Sequence, residues 1–235
     1  MRYCFCRVPT IDDFPPLAFK IGTGETKSDR EWLKKKKEYF EKLWPKSGSK
    51  ILAKIEDFCG DTFTNTSKEE GMTVLLHKKG TDSRSGSLKE YNPLEIRLFL
   101  ARNDNTNFMR EQLVKMLTRS FIQQKFQFHF RIREQTLFED ILADEFVASM
   151  VSFLVLGRKP GRTSCDKALT EAIAETVYRL SQKNTRSQLL DVVCNFSTEY
   201  SAKVKSRKMD ILEEREELVS KLLKFLPEPS DSEKS

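Results

Sequence analysis

The stretch LEIRLFL, residues 94–100, decides the fold class, because every second side chain in it is aliphatic. A period of two is typical of a strand with one buried face. A polar turn at residues 103–107 separates this stretch from LVKMLTR, residues 113–119, where apolar side chains recur every three or four positions. That spacing is typical of an amphipathic helix. We therefore predict a strand that leads into a helix from about Phe108 to Gln124.

The rest of the chain is mostly helical in pattern. Outside residues 94–124, the sequence favours an extended segment near Leu17–Ile21, a short strand at Met72–Leu76, and either an extended segment or a loop that packs three rings at Phe126–Phe130. Helices, a small sheet and further helices follow one another, which predicts an α+β fold, mostly helical, with a small mixed or antiparallel sheet. The other predicted helices span residues 29–44 (capped by Asp29 and stopped by Pro45), 51–58, 138–156, 164–180, 189–196 and 198–226.

The domain organisation is predicted from length and punctuation. The chain has 235 residues and is 38% hydrophobic, which suits a folded protein with a substantial core. Residues 1–28 are rich in Pro and Gly and are expected to be irregular. A single globular domain is predicted for residues 29–226, with a core at 51–157 and C-terminal helices at 163–226. Residues 227–235 are expected to form a disordered tail.

Composition also restricts the cellular setting. No run of apolar residues is long enough to span a bilayer, and the N-terminus lacks the layout of a signal peptide. Five Cys residues are an odd number with scattered spacing, unlike a secreted disulfide framework. We expect an intracellular, cytoplasmic protein with no membrane partner. His77 and His129, the two histidines, are expected to be surface or packed side chains.

Positive charge is concentrated near the N-terminus. Residues 29–50 carry eight basic and four acidic side chains, within a net charge of +6 for the chain. A basic helix with aromatic residues can bind nucleic acid or an anionic surface. In the alternative interpretation it is a solvated helix whose Leu33, Phe40, Leu43 and Trp44 dock on the core. The basic patch consists of Lys34, Lys35, Lys36, Lys37, Lys42, Lys46 and Lys50.

The helix at residues 113–119 resembles the ligand helix of the zincin metallopeptidases. In that family an apolar frame surrounds His-Glu-x-x-His, whose two His bind zinc and whose Glu is the general base. Here Lys115, Met116 and Arg119 occupy those three positions, and Glu145 matches the third ligand on the next helix. The resemblance covers about residues 51–157. It implies a degenerate, gluzincin-like core whose edge strand is residues 94–100.

The resemblance implies that the zinc chemistry is lost. Lys and Arg offer no lone pair at neutral pH, and Met116 cannot accept a proton from water. No metal, cofactor or catalytic residue is therefore assigned. Lys115 and Arg119 share a helix face, and with Glu145 they could form a buried ion pair in the former metal position. The alternative places all three side chains in solvent.

These patterns favour a non-catalytic protein that binds a protein or peptide in a cleft along the strand at residues 94–100. Strand addition is a natural mode for such an edge. A nucleic-acid-binding protein that uses the basic helix 30–50 is the first alternative. An enzyme of unrecognised type is the second, so catalytic activity stays open.

Overall fold

The computed structural model of the chain describes residues 11–80, 94–130, 138–159, 161–175, 183–206 and 210–224. The chain divides into two compact units, Met1–Gln127 and Phe128–Ser235. The α+β class with mostly helical content is confirmed. The assignment of residues 29–226 to a single domain stays a prediction, and the proposed tail at 227–235 lies outside the described residues.

The first unit holds a small sheet and the helices around it. A short 3-10 turn at Ile11–Asp13 precedes the first strand. The elements are β1 (Leu17–Ile21), α1 (Lys27–Cys59), α2 (Asn65–Glu70), β2 (Met72–Lys78), β3 (Glu95–Leu100) and α3, which begins at Thr106 and ends at Phe130. All three strands lie where the sequence pattern predicted extended segments.

The sheet has the order β1-β2-β3, and both pairs of neighbours are parallel. The prediction of a mixed or antiparallel sheet was therefore wrong. Antiparallel neighbours can be joined by a two-residue hairpin, whereas parallel neighbours need a crossover connection of about a dozen residues or more. Here α1 is the crossover between β1 and β2. The alternation of apolar and polar residues in a strand predicts which face is buried. It does not predict whether the neighbouring strand runs parallel or antiparallel.

Helix α1 packs on one face of this sheet, against β1 and β2. Phe19, Val74 and Ile96 are aligned across the three strands and are buried. Phe40 of α1 stacks on Phe19 with ring centroids 5.4 Å apart, and Trp44 meets the same ring edge-on at 6.1 Å. This docking buries the apolar side of α1 and leaves its opposite side in solvent.

Helix α1 runs through Pro45, which was expected to stop it. Proline removes one helical hydrogen bond and its ring disturbs the preceding turn, at a cost of about 3 kcal/mol. Buried side chains on both sides of it, Trp44 before and Ile51 and Ile55 after, pack into the core and offset that cost. One helix of 33 residues thus replaces the two predicted ones.

The start of α1 and the end of α3 also differ from the predictions. Thr26, not Asp29, caps α1, since its side-chain oxygen accepts a hydrogen bond from the Asp29 backbone at 3.2 Å. The extended segment or loop predicted at Phe126–Phe130 is wrong, because the backbone of α3 is helical to Phe130. Alternating Phe residues over five positions are too short a pattern to separate strand from helix.

The second unit is helical over its described residues: α4 (Phe138–Val155), α5 (Arg162–Glu175), α6 (Lys183–Ser206) and α7 (Ile211–Leu223). Helix α4 is central, since residues 143–153 are all buried and the helix contacts α5, α6 and α7. Phe146 of α4 meets Phe196 of α6 at 6.2 Å. The prediction for α4 is confirmed to within one residue.

The last two helices divide at a different place from the predicted one. The predicted break between residues 196 and 198 is absent, because α6 continues to Ser206. The new start lies at Asp210, whose carboxylate accepts hydrogen bonds from the backbone of Leu212 at 2.9 Å and Glu213 at 3.4 Å. An aspartate in this position satisfies donors that a helix N-terminus leaves unpaired.

Candidate functional site

Strand β3 is an edge of the sheet as far as the structure describes it. The carbonyls of Leu94 and Leu100 accept hydrogen bonds from the β2 side, from Thr73 at 2.8 Å and from Lys79 at 2.7 Å. Even-numbered residues of β3 therefore pair with β2. In a parallel strand the residues between them turn their N–H and C=O groups the other way. The outward backbone groups are those of Glu95, Arg97 and Phe99.

The second face of the sheet is exposed to a degree at every position. Parallel sheets are usually covered on both faces. Here Lys20 and Arg97 are exposed, and Leu75 and Phe99 are half-buried. The complete set of side chains on this face is Ala18, Lys20, Thr73, Leu75, His77, Glu95, Arg97 and Phe99. An apolar centre with charged surroundings is a composition suited to a protein contact.

A shallow depression lies on the same face over β2, between Lys20 of β1 and Glu95 of β3. Its volume is about 280 Å³, which is below the range of about 300–1,000 Å³ typical of small-molecule pockets. Such a volume accommodates one or two side chains. The lining residues are Lys20, Glu70, Gly71, Thr73, Leu75, Leu94 and Glu95. Both signs of charge are present, so the depression suits a polar side chain better than an apolar one.

A His–carboxylate pair lies at the carboxyl ends of the strands. The Nδ1 atom of His77 is 3.3 Å from a carboxylate oxygen of Glu25, which also accepts a hydrogen bond from the Lys78 backbone at 3.1 Å. The His77 ring stacks on Phe99 at 5.3 Å and presses against Gly22. Its Nε2 atom is buried, so the ring does not present that nitrogen to a substrate. His77 is thus a packed histidine.

Asp29 is the centre of a second polar group nearby. Its carboxylate accepts hydrogen bonds from the Thr26 hydroxyl at 2.7 Å and from the Trp32 indole at 3.2 Å, and pairs with Lys78 at 3.2 Å. These contacts, with the Thr26 hydrogen bond foremost, lower the pKa of Asp29. Sequence reasoning missed this group, although Thr26-x-x-Asp29 has the spacing of a helix capping box.

Two of the four residues in the zincin comparison are buried. Lys115 is 6% exposed and Glu145 only 1%, while Met116 and Arg119 are half-buried. The alternative in which all these side chains face solvent is therefore wrong for Lys115 and Glu145. Lys115, Met116 and Arg119 lie on α3 of the first unit and Glu145 on α4 of the second. Their convergence stays a prediction.

Within the second unit, a different acid of α4 forms a buried ion pair. Arg215 of α7 donates from Nε to the Asp144 carboxylate at 2.6 Å, with exposures of 3% and 5%. Sequence reasoning missed this pair. The available signal was that Arg215 lies on the apolar line of α7, between Ile211 and Leu218, where a solvated arginine is not expected.

The basic patch is not uniform. Leu33, Phe40 and Trp44 are buried and Leu43 is half-buried, as the solvated-helix interpretation requires. Lys36 donates to the Asp104 carbonyl at 2.6 Å, and Lys37 pairs with Glu41 at 2.7 Å. The remaining patch lysines, Lys34, Lys35, Lys42, Lys46 and Lys50, are exposed.

Two kinds of site are absent from the described residues. The described residues bring together no three His, Cys, Asp or Glu side chains able to hold a metal ion. Over the same part of the chain, no helix has the length and apolar content needed to cross a bilayer. No protein-family model matches the chain, and no curated protein or solved structure matches it either.

Proposed function

We propose that this chain is a non-catalytic protein-binding module that takes up an extended peptide by strand addition along β3. The observation that carries the proposal is the outward direction of the Glu95, Arg97 and Phe99 backbone groups. A peptide strand laid beside them would satisfy those groups and extend the sheet. The edge is short, and the charged residues Glu95 and Arg97 on it disfavour indiscriminate pairing.

Recognition of side chains would come from the exposed sheet face. Successive side chains of a bound strand point to opposite faces, so every second one would lie over the same face as Arg97. The depression over β2 can receive a long one that reaches across β3, and Lys20, Glu70 and Glu95 there favour a polar or charged side chain. Backbone hydrogen bonds would supply the affinity for the peptide, and the depression would supply the specificity.

The chemistry of α3 supports a non-catalytic role. The zincin comparison places Lys115, Met116 and Arg119 where a peptidase has its ligands and base. Cationic Lys and Arg repel a divalent metal, and a thioether cannot act as general base. We therefore propose a degenerate metallopeptidase-like core that retains the substrate strand's position without the hydrolytic groups.

The test uses peptides selected on the protein from a random display library. Arg97→Pro removes one outward N–H without removing a hydrogen bond to β2, because Arg97 is an odd-numbered residue of β3. The matched control is Arg97→Ala, which removes the same side chain and keeps the N–H. In titration calorimetry, Arg97→Pro should bind the selected peptide about fivefold or more weakly, in line with about 1 kcal/mol per hydrogen bond. Arg97→Ala should lower the affinity less.

Two results would contradict the proposal. One is a library that yields no binding peptide. The other is a peptide that binds equally well to both variants, or whose binding protects amides elsewhere than β3 in hydrogen exchange.

A further inference from the structure

The stretch of α1 from Lys42 to Ile55 carries basic side chains and no acidic ones, although Glu56 and Asp57 follow it before the helix ends. Between Lys42 and Ile55 the sequence contains four Lys and neither Asp nor Glu. The N-terminal part differs, because Glu31, Glu38 and Glu41 lie among its lysines. The patch that looks continuous in sequence is thus partly neutralised in its first half only.

The lysines of the second half form a regular row. Lys42, Lys46 and Lys50 follow one another at intervals of four residues, and Lys54 continues the series; all four are exposed. Each interval is about 6 Å along the helix, so the row is about 18 Å long. We call these four residues the lysine row. The row exists because α1 continues through Pro45, which keeps Lys42 and Lys46 one turn apart.

The opposite side of the helix is occupied. Trp44, Ile51 and Ile55 are buried, and no aromatic side chain of α1 is fully exposed. A helix that binds a membrane surface inserts its apolar side, which is unavailable here. Single-stranded nucleic acid is usually held by exposed aromatic side chains on which bases stack. On α1 the aromatic side chain nearest Lys42 and Lys46, Trp44, is buried, while Trp32, Tyr39 and Phe58 are half-buried. A regular line of cations instead matches the repeated phosphates of a duplex.

We infer that the lysine row is a docking surface for the phosphate backbone of double-stranded nucleic acid, without base specificity. This function is separate from peptide binding at β3 and does not depend on it. Three or four phosphate contacts should give a slope of log K against log salt concentration of about −3 to −4 for a duplex, at about 0.9 per contact.

The experiment measures binding of the full chain to a fluorescent 20-base-pair DNA duplex by anisotropy across a salt series. The row variant is Lys46→Gln with Lys50→Gln. Its matched control is Lys34→Gln with Lys35→Gln, which removes the same charge from exposed positions of the same helix. The row variant should bind about 10-fold or more weakly near 100 mM salt, and its slope should be smaller by about two. The control should change affinity less than threefold.

Binding is also measured to a single strand of the same sequence and to vesicles with 30% phosphatidylserine. The affinity for both should be lower than the affinity for the duplex. Thermal unfolding of both double variants should match that of the parent, since the four positions are exposed. The inference is overturned by absence of duplex binding, by equal losses in the two double variants, or by vesicle binding that exceeds duplex binding.

Discussion

The two units each hold an aspartate in an ion pair, but in very different surroundings. In the second unit, Asp144 and Arg215 are both almost completely buried. In the first, Asp29 is buried while the Lys78 side chain is 49% exposed. A buried charge whose partner is removed has no solvent to stabilise it, whereas an exposed lysine contributes little. The aspartate is buried in both pairs, so the difference lies in the burial of the cation. This burial, more than the distance between the charged atoms, separates a structural ion pair from a surface one.

The largest effect is expected from Arg215→Ala. It leaves the Asp144 carboxylate buried without its cation, so the free energy of unfolding should fall by about 3–5 kcal/mol. Chemical denaturation monitored by circular dichroism measures the change. The double variant Asp144→Leu with Arg215→Met is the control, and it should recover most of the loss because both charges are absent. A double variant as unstable as the single one would contradict this account.

An intermediate effect is expected from Gly22→Ala in the first unit. A Cβ atom at Gly22 would lie 2.0 Å from the His77 ring, which is itself stacked on Phe99. The ring must move, and overpacking of this kind costs about 1–3 kcal/mol. Gly22→Ala combined with His77→Ala tests the cause, since removal of the ring should make the added methyl group harmless. Additive losses in a thermal or denaturant series would show that the two positions do not collide.

A small effect is expected from Lys78→Gln. The lysine is exposed, so loss of its pairing with Asp29 should change the free energy of unfolding by less than about 1 kcal/mol. Asp29 keeps its hydrogen bonds from Thr26 and Trp32. A loss as large as that of Arg215→Ala, measured in the same denaturant series, would remove the distinction between the two pairs.

The pH dependence of Asp29 gives a still finer comparison. Its pKa is lowered from the usual 3.8, so the carboxylate stabilises the fold well above that value. This contribution is lost as the pH falls below 3.8 towards the folded-state pKa. Asp29→Asn should therefore reduce stability near neutral pH and weaken the acid dependence of unfolding between about pH 5 and pH 2. An unchanged acid dependence would show that Asp29 ionises freely.

The strands and α4 could be predicted because their patterns are local. Phe19, Val74 and Ile96 each stand in a short alternating stretch, and the apolar run of α4 exceeds the length of a strand. Strand direction could not be predicted, since it depends on where the chain goes between strands. The continuation of α1 through Pro45 depends on packing of Trp44 and Ile51 that lies beyond any local window.

The polar groups show the same limit. Glu25 and His77, or Asp144 and Arg215, meet only after folding, and their separation in sequence leaves no joint pattern to detect. The zincin comparison predicted an edge strand at residues 94–100, and among the described strands β3 does lie at an edge, in the order β1-β2-β3. The burial of Lys115 and Glu145 could not be predicted from residue type, because lysine and glutamate are seldom fully buried. It also contradicts the alternative that placed both side chains in solvent.

The parallel pairing of β1 with β2 has a consequence for how this chain reaches its native state. Leu17 must find Met72 across the whole of α1, so closing the loop between β1 and β2 carries an entropy cost. Once formed, the helix presents Phe40 and Trp44 to β1, and the stacking of these rings on Phe19 holds β1 in place for pairing. Helix formation ahead of strand pairing is thus the economical order of assembly, and substitutions that weaken α1 around Pro45 should slow refolding more than those in the strands.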